Sequence, residues 1–163
     1  MIEIVKADFL SSRDSASIVS LVNAYALDEM GGGQELSDYT KAHLVAELAK
    51  RPNCVVFIAY VDEEPAGIVI CFEVFSTFKC KPILNVHDVV VVERFRGQGL
   101  SRKLFEVVEG HARRSGCCKM TLEVLEGNNT AQQAYRNFGF AGYELDPKMG
   151  NALFFEKILE RDD

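Results

Sequence analysis

Residues 89–116, VVVVERFRGQGLSRKLFEVVEGHARRSG, run from four valines through a charged turn into a helical pattern. Gly97 and Gly99 stand just before the helix, with Arg94, Arg96, Arg102 and Lys103 crowded around them. A helix start exposes backbone N–H groups that lack intrahelical partners, and it carries the positive end of the helix dipole. Glycines at that junction let the chain turn sharply and let a ligand approach with no Cβ in the way. Cations in a first turn oppose the dipole by about 0.3–1 kcal/mol each at an exposed site. A bound polyanion reverses that balance, so the pattern points to phosphate binding. The plainer reading is a solvated turn that happens to be basic. Two common phosphate motifs are excluded. G-x-x-x-x-G-K-[ST] is absent, and Gly97-Gln98-Gly99-Leu100-Ser101-Arg102 lacks the third glycine of a dinucleotide fingerprint.

Two further residues have the chemistry to move protons. His87 precedes the valines on the same strand, and strict alternation puts it on the side of Val89 and Val91 and Asp88 on the other, as a structural residue. An unperturbed histidine titrates near pH 6.5, which suits a base. Glu123 lies between Leu122 and Val124, and apolar surroundings raise a carboxylate toward useful values. The plain alternatives are a satisfied core histidine and a structural carboxylate. Cys117 and Cys118 read as small buried residues. No C-x-x-C spacing occurs and the three histidines lie far apart, so no metal site is expected.

These residues must be held by a framework, which hydrophobic periodicity supplies. Strands are predicted over 2–9, 54–61, 66–75, 82–92, 118–126, 140–145 and 152–159. Helices are predicted from about Asp14 (capped by Ser12 or Asp14), after Ser37, over 99–115 and over 129–139. The order β-α-α-β-β-β-α-β-α-β-β implies an α/β fold of the α+β kind, with a central mixed sheet and helices on both faces. The 163 residues imply a single domain, 1–163. A net charge of −6 argues against nucleic acid as the main partner. No apolar run reaches the ~18 residues of a membrane span. Five cysteines, an odd number, with no leader pattern ahead of them, point to a reduced, cytoplasmic protein.

RGQGLS (96–101) resembles the [Q/R]-x-x-G-x-[G/A] acyl-CoA signature of the GNAT superfamily of N-acyltransferases. NNTAQQAYRNFGF (128–140) resembles that family's N-x-x-A-x-x-x-Y-x-x-x-G-F. Ser101 departs from the usual Gly or Ala, but it is small and can donate to phosphate. The register Arg94-x-x-Gly97-x-Gly99 also fits formally; spacing to the valines and to Asn128 favours the first. The order of elements matches the family over nearly the whole chain. The resemblance implies an acyl-CoA N-acyltransferase using acetyl-CoA as co-substrate and no metal. It implies that backbone groups of Val89, Val90 and Val91 pair with the pantetheine arm. The turn Arg96, Gly97, Gln98, Gly99, Leu100, Ser101 and Arg102 would hold the pyrophosphate. Asn128 would bond the cofactor arm, and Tyr135 would sit beside the thioester sulfur as acid. It places the bases proposed for different members at His87 and at Glu123.

Amide formation from an alkylammonium with a pKa near 10 needs a base, and the departing thiolate needs a proton. In the implied fold the acceptor meets ALDEMGGGQELSDY and the hairpin ELDPKMGNA. Their acids, Asp28, Glu29, Glu35, Asp38, Glu144 and Asp146, favour a cationic amine, and the three glycines argue for a mobile segment. The leading expectation is N-acetylation of a primary amine on a small molecule. The rivals are a protein acetyltransferase, for an N-terminus or lysine, and a non-catalytic acyl-CoA-binding module. A homodimer is left open.

Overall fold

The computed structural model describes residues 1–160; the last three residues of the 1–163 domain expected from the sequence lie outside that range. The elements are β1 Ile2–Lys6, α1 Ser12–Leu27, α2 Asp38–Ala49, β2 Cys54–Val61, β3 Glu64–Ser76, β4 Lys81–Val91, α3 Leu100–Arg114, β5 Lys119–Leu122 and α4 Asn129–Phe138. The sheet runs β1-β2-β3-β4-β5. Its first three pairings are antiparallel and β4–β5 is parallel, so the sheet is mixed as expected.

Local chemistry sets most of the boundaries. Ser11, one residue before the expected candidates, caps α1 by accepting from the Asp14 N–H at 3.3 Å. Asp14 is buried instead, taking the Tyr60 hydroxyl at 2.8 Å. Ser37 caps α2 as expected. Asp62 and Glu63 adopt φ of 47° and 68°, the left-handed pair that a two-residue hairpin demands between β2 and β3.

The sheet divides two cores. On one face α1 and α2 bring Ile18, Leu21 and Leu48 onto Val56, Ile58, Ile68 and Val90. On the other, α3 buries Leu100, Leu104, Phe105, Val108 and Ala112 against Val55, Phe57, Val69 and Val86. Leu104 and Phe105 are almost fully enclosed, each contributing about 1.5–3 kcal/mol by burial. That packing fixes the start of α3 against the end of β4.

Three departures from the sequence expectation shape the molecule. A bulge interrupts β4: Asp88 faces Ile70 and Val86 faces Cys71, leaving His87 as the extra residue. β5 is four residues long and pairs β4 only from Ile83 to Val86. Beyond that point the two strands part. Among the described residues neither strand expected over 140–145 and 152–159 forms; one isolated bridge, Glu144 to Asn151, stands between them. The outer edge of β5 faces a groove of about 610 Å³ bounded by Phe140, Tyr143 and Glu144 instead of a strand. Leu153, Phe154, Phe155, Ile158 and Leu159 are accordingly exposed. Among the described residues no helix is long and apolar enough to cross a membrane.

Candidate active site

The split between β4 and β5 leaves Val89, Val90 and Val91 paired to β3 on one side and, among the described residues, to no strand on the other. A short 3-10 helix, Glu93–Phe95, then leads into the glycine turn. Gly97 and Gly99 have φ of 75° and 74°, a conformation that costs an L-residue about 1–2 kcal/mol. A Cβ on either would meet nothing within 4 Å. Glycine is demanded here by the hand of the backbone, and the space beside it is open. Gly99 is the N-cap of α3 and supplies no side-chain acceptor. The opening N–H groups of a fifteen-residue helix are left for a ligand.

The cations around the turn are more committed than the sequence implied. Arg94 pairs with Glu64 at 2.7 Å and Arg102 with Glu106 at 3.2 Å. Arg96 donates through Nε to the Val91 carbonyl at 2.9 Å and through Nη2 to Asp28 at 2.8 Å. Gln98 turns back, its Nε2 donating to the Arg94 carbonyl at 3.3 Å.

The cleft has two lobes. One, of about 550 Å³, is lined by Asp28, Glu29, Val91, Phe95, Arg96, Gly97, Gly99, Leu100 and Ser101. The other, of about 410 Å³, is lined by Val86, His87, Leu122, Glu123 and Phe154. Tyr25, Met30, Val89, Asn128, Ala131 and Tyr135 line both, so they stand where the lobes meet. Asn128 caps α4, its Oδ1 accepting from the Ala131 N–H at 3.1 Å. About two turns on, Tyr135 sets its ring edge-on to the buried Phe105, centroids 5.6 Å apart. Burial pushes the Tyr135 phenol above its usual range, and Tyr25 adds to this. The hydroxyl therefore keeps its proton throughout the neutral range.

The bulge corrects the facing expected for β4. Val89 and Val91 pack toward α3. His87 lies edge-on to Phe72, centroids 5.4 Å apart, and Phe72 belongs to the α1 side. Asp88, expected opposite His87, is its electrostatic neighbour. Burial pushes the Asp88 carboxyl up, with the His87 charge opposing. Asp88 and Asp28 in turn help burial to hold the Tyr25 phenol high. Glu123 sits just past β5 and is exposed, so the apolar enclosure expected around it is absent. Cys118, expected buried, is exposed, and Cys117 is half-buried.

Of the acids in the acceptor loops, Asp28 and Glu29 reach the cleft. Glu35 is paired with Lys41 at 2.7 Å, and Asp146 caps a short turn by accepting from the Lys148 N–H. The glycines at 31–33 are needed by the turn itself. A Cβ on Gly31 would lie 1.9 Å from the Tyr25 carbonyl oxygen, and Gly32 and Gly33 have φ of 110° and 75°. Thus Val89, Val91, Arg96, Gly97, Gly99, Leu100, Ser101, Asn128 and Tyr135 converge on one lobe and His87 and Glu123 on its neighbour. The Val90 side chain is buried in the α1-side core, leaving only its backbone to serve. Tyr25 and Met30 were missed as site residues. Tyr25 carries the apolar spacing of α1, which reads as core, and Met30 has no motif. Among the described residues no group of three or more His, Cys, Asp or Glu is placed to hold a metal ion.

The sequence profile of the Acetyltransferase (GNAT) family matches residues 18–140. A thialysine N-epsilon-acetyltransferase from Caenorhabditis elegans is 33% identical over 79 residues, 48% of this chain and 49% of that one. A thialysine N-epsilon-acetyltransferase from Bos taurus is 31% identical over 101 residues, 59% of this chain and 53% of that one. The chain thus matches about half the length of these curated relatives. Among solved structures, an aminoglycoside acetyltransferase from an uncultured soil metagenomic sample, in complex with sisomicin, superposes with a TM-score of 0.79 at 16% identity, covering 98% and 97% of the two chains. Glucosamine-6-phosphate N-acetyltransferase from Arabidopsis thaliana superposes with a TM-score of 0.69 at 18% identity, covering 96% and 99%. At such identities the likeness concerns the fold.

Proposed function

We propose, for a chain that belongs to the GNAT acetyltransferase family, that it moves an acetyl group from acetyl-CoA to a primary amine of a small molecule by direct attack in a ternary complex. The observation that carries this reading is the uncapped start of α3, preceded by two left-handed glycines in open space, at the point where β4 and β5 part. The site fits an acyl-CoA. The α3 N–H groups and the turn 96–102 would take the diphosphate. The free edge of Val89 to Val91 would take the amide-bearing pantetheine arm as an added strand. Asn128, whose Oδ1 is spent on its cap, has its amide nitrogen left for the arm.

The chemistry follows from the junction of the lobes. The attacking nitrogen must be neutral, and His87, in the acceptor lobe, accepts its proton, with Glu123 as the rival base. The C–N bond forms and the C–S bond breaks. Tyr135, held protonated by burial, donates to the departing sulfur. A backbone N–H on the free edge of β4 would polarise the carbonyl. Residues 1–163 act as one acyltransferase domain in this reading.

The test is thiol release from acetyl-CoA across an amine panel that includes thialysine, sisomicin, glucosamine 6-phosphate, polyamines and peptides with free N-termini or lysines. Turnover with a free small amine is the expected result. Turnover with peptides alone would assign a protein acetyltransferase. Tight CoA binding with no turnover on any acceptor would assign a binding module.

A further inference from the structure

The ion pair between Arg96 and Asp28 spans the larger lobe of the cleft. Arg96 belongs to the phosphate turn and Asp28 to the corner after α1. Asp28 also organises that corner. Its Oδ1 accepts from the Met30 N–H at 3.0 Å, and its carbonyl accepts from Gly31 at 2.9 Å and Gly33 at 3.1 Å. The Arg96 contact draws the Asp28 carboxyl below the usual carboxylate range, mainly through the hydrogen bond itself. Of the residues lining the larger lobe, Asp28, Glu29 and Arg96 are the charged ones. Among the described residues the guanidinium is therefore the one positive side chain facing two carboxylates there.

An acyl-CoA diphosphate on the glycine turn competes with Asp28 for that guanidinium. We propose that Arg96 and Asp28 form a switch, in which acyl-CoA binding draws Arg96 onto phosphate and releases Asp28 to anchor an ammonium group of the acceptor. Asp28 is a carboxylate already holding a cation, so the exchange replaces one cationic partner by another. The anchored ammonium is not the nitrogen that reacts, because the attacking amine must be neutral and the base candidates lie in the other lobe. The acceptor class is accordingly a molecule with at least two amino groups. The switch rests on the acyl-CoA reading of the cleft. Linkage makes it reciprocal: each ligand raises the affinity of the other by the same factor.

The test is calorimetric titration with CoA, which carries no acetyl group and so cannot turn over. It is run with and without 1,4-diaminobutane, and with 1-butanol as the control that carries no ammonium. Asp28→Asn keeps the cap, since asparagine accepts from the Met30 N–H equally well, and removes the competing charge. It should bind CoA about two- to fivefold more tightly, the range an exposed ion pair commands. In the wild type 1,4-diaminobutane should tighten CoA binding and 1-butanol should not; the diamine effect should vanish in Asp28→Asn. Arg96→Gln should bind 1,4-diaminobutane equally well with and without CoA. Equal CoA affinity in wild type and Asp28→Asn overturns the switch. So does diamine coupling that is missing from the wild type or survives in Asp28→Asn. A failure of the acyl-CoA reading looks different: no CoA binding by any of the three proteins.

Discussion

Substitution of Gly99 separates the backbone's demand for glycine from the ligand's. Gly99→Ala and Gly99→Asp both force an L-residue to φ 74°, at about 1–2 kcal/mol. For a chain of this length that lowers Tm by about 2–8 °C in each case. The added Cβ meets nothing within 4 Å, so no steric cost distinguishes the two. Charge does. A carboxylate about 5 Å from a phosphate charge, at an effective dielectric of about 20, is repelled by about 3 kcal/mol. Salt screening reduces this, leaving a loss of about 10- to 100-fold in CoA affinity. Alanine keeps every N–H donor and adds one methyl in open space, so its loss should stay under about threefold. Thermal denaturation gives the first quantity and calorimetric titration with CoA the second. The reasoning is refuted if the two variants bind CoA equally, because the diphosphate then lies away from the start of α3.

Tyr135→Phe should lower kcat by about 10²-fold with CoA affinity within twofold; an unchanged kcat where chemistry limits the rate removes Tyr135 as the acid. His87→Ala should abolish the acidic limb of the kcat/KM profile while Glu123→Gln preserves it, and the opposite pattern transfers the base to Glu123. Burial raises the folded-state pKa of Asp88 above its unfolded value, so its ionisation opposes folding, a cost that builds as pH rises from the ordinary carboxylate range through the folded value. Asp88→Asn should therefore raise Tm near pH 7.5, with the gain fading as pH falls into the ordinary carboxylate range; a gain independent of pH contradicts this. Gly31→Ala drives a Cβ onto the Tyr25 carbonyl and should raise the acceptor KM while leaving CoA affinity within twofold, as read by steady-state kinetics and titration.

The glycine turn, α3 and the Asn128–Tyr135 spacing were legible because each depends on local chemistry: handedness, capping and a fixed helical offset. The facing of His87 was not. NVHDVVVV carries no glycine or proline to mark an irregularity, and the bulge is fixed by pairing with β3, which no local pattern records. Glu123 looked enclosed because Leu122 and Val124 flank it, yet β5 stops at Leu122 and leaves it in solvent. The stretch 152–159 has strand composition, but a strand needs a neighbour, and the groove beside β5 stands where that neighbour would be. The Arg96–Asp28 pair spans 68 positions and belongs to tertiary structure alone.

The parted edge of β4 has a consequence for how the protein tolerates change. A ligand laid along Val89 to Val91 is read through peptide groups, which every residue carries alike. Exchanges among valine, isoleucine and leucine at Val89 and Val91 alter packing and leave those donors and acceptors in place. This surface is nearly silent to alanine scanning and open to drift in side-chain identity. Proline is the exception: it deletes the N–H and blocks the extended pairing in one step.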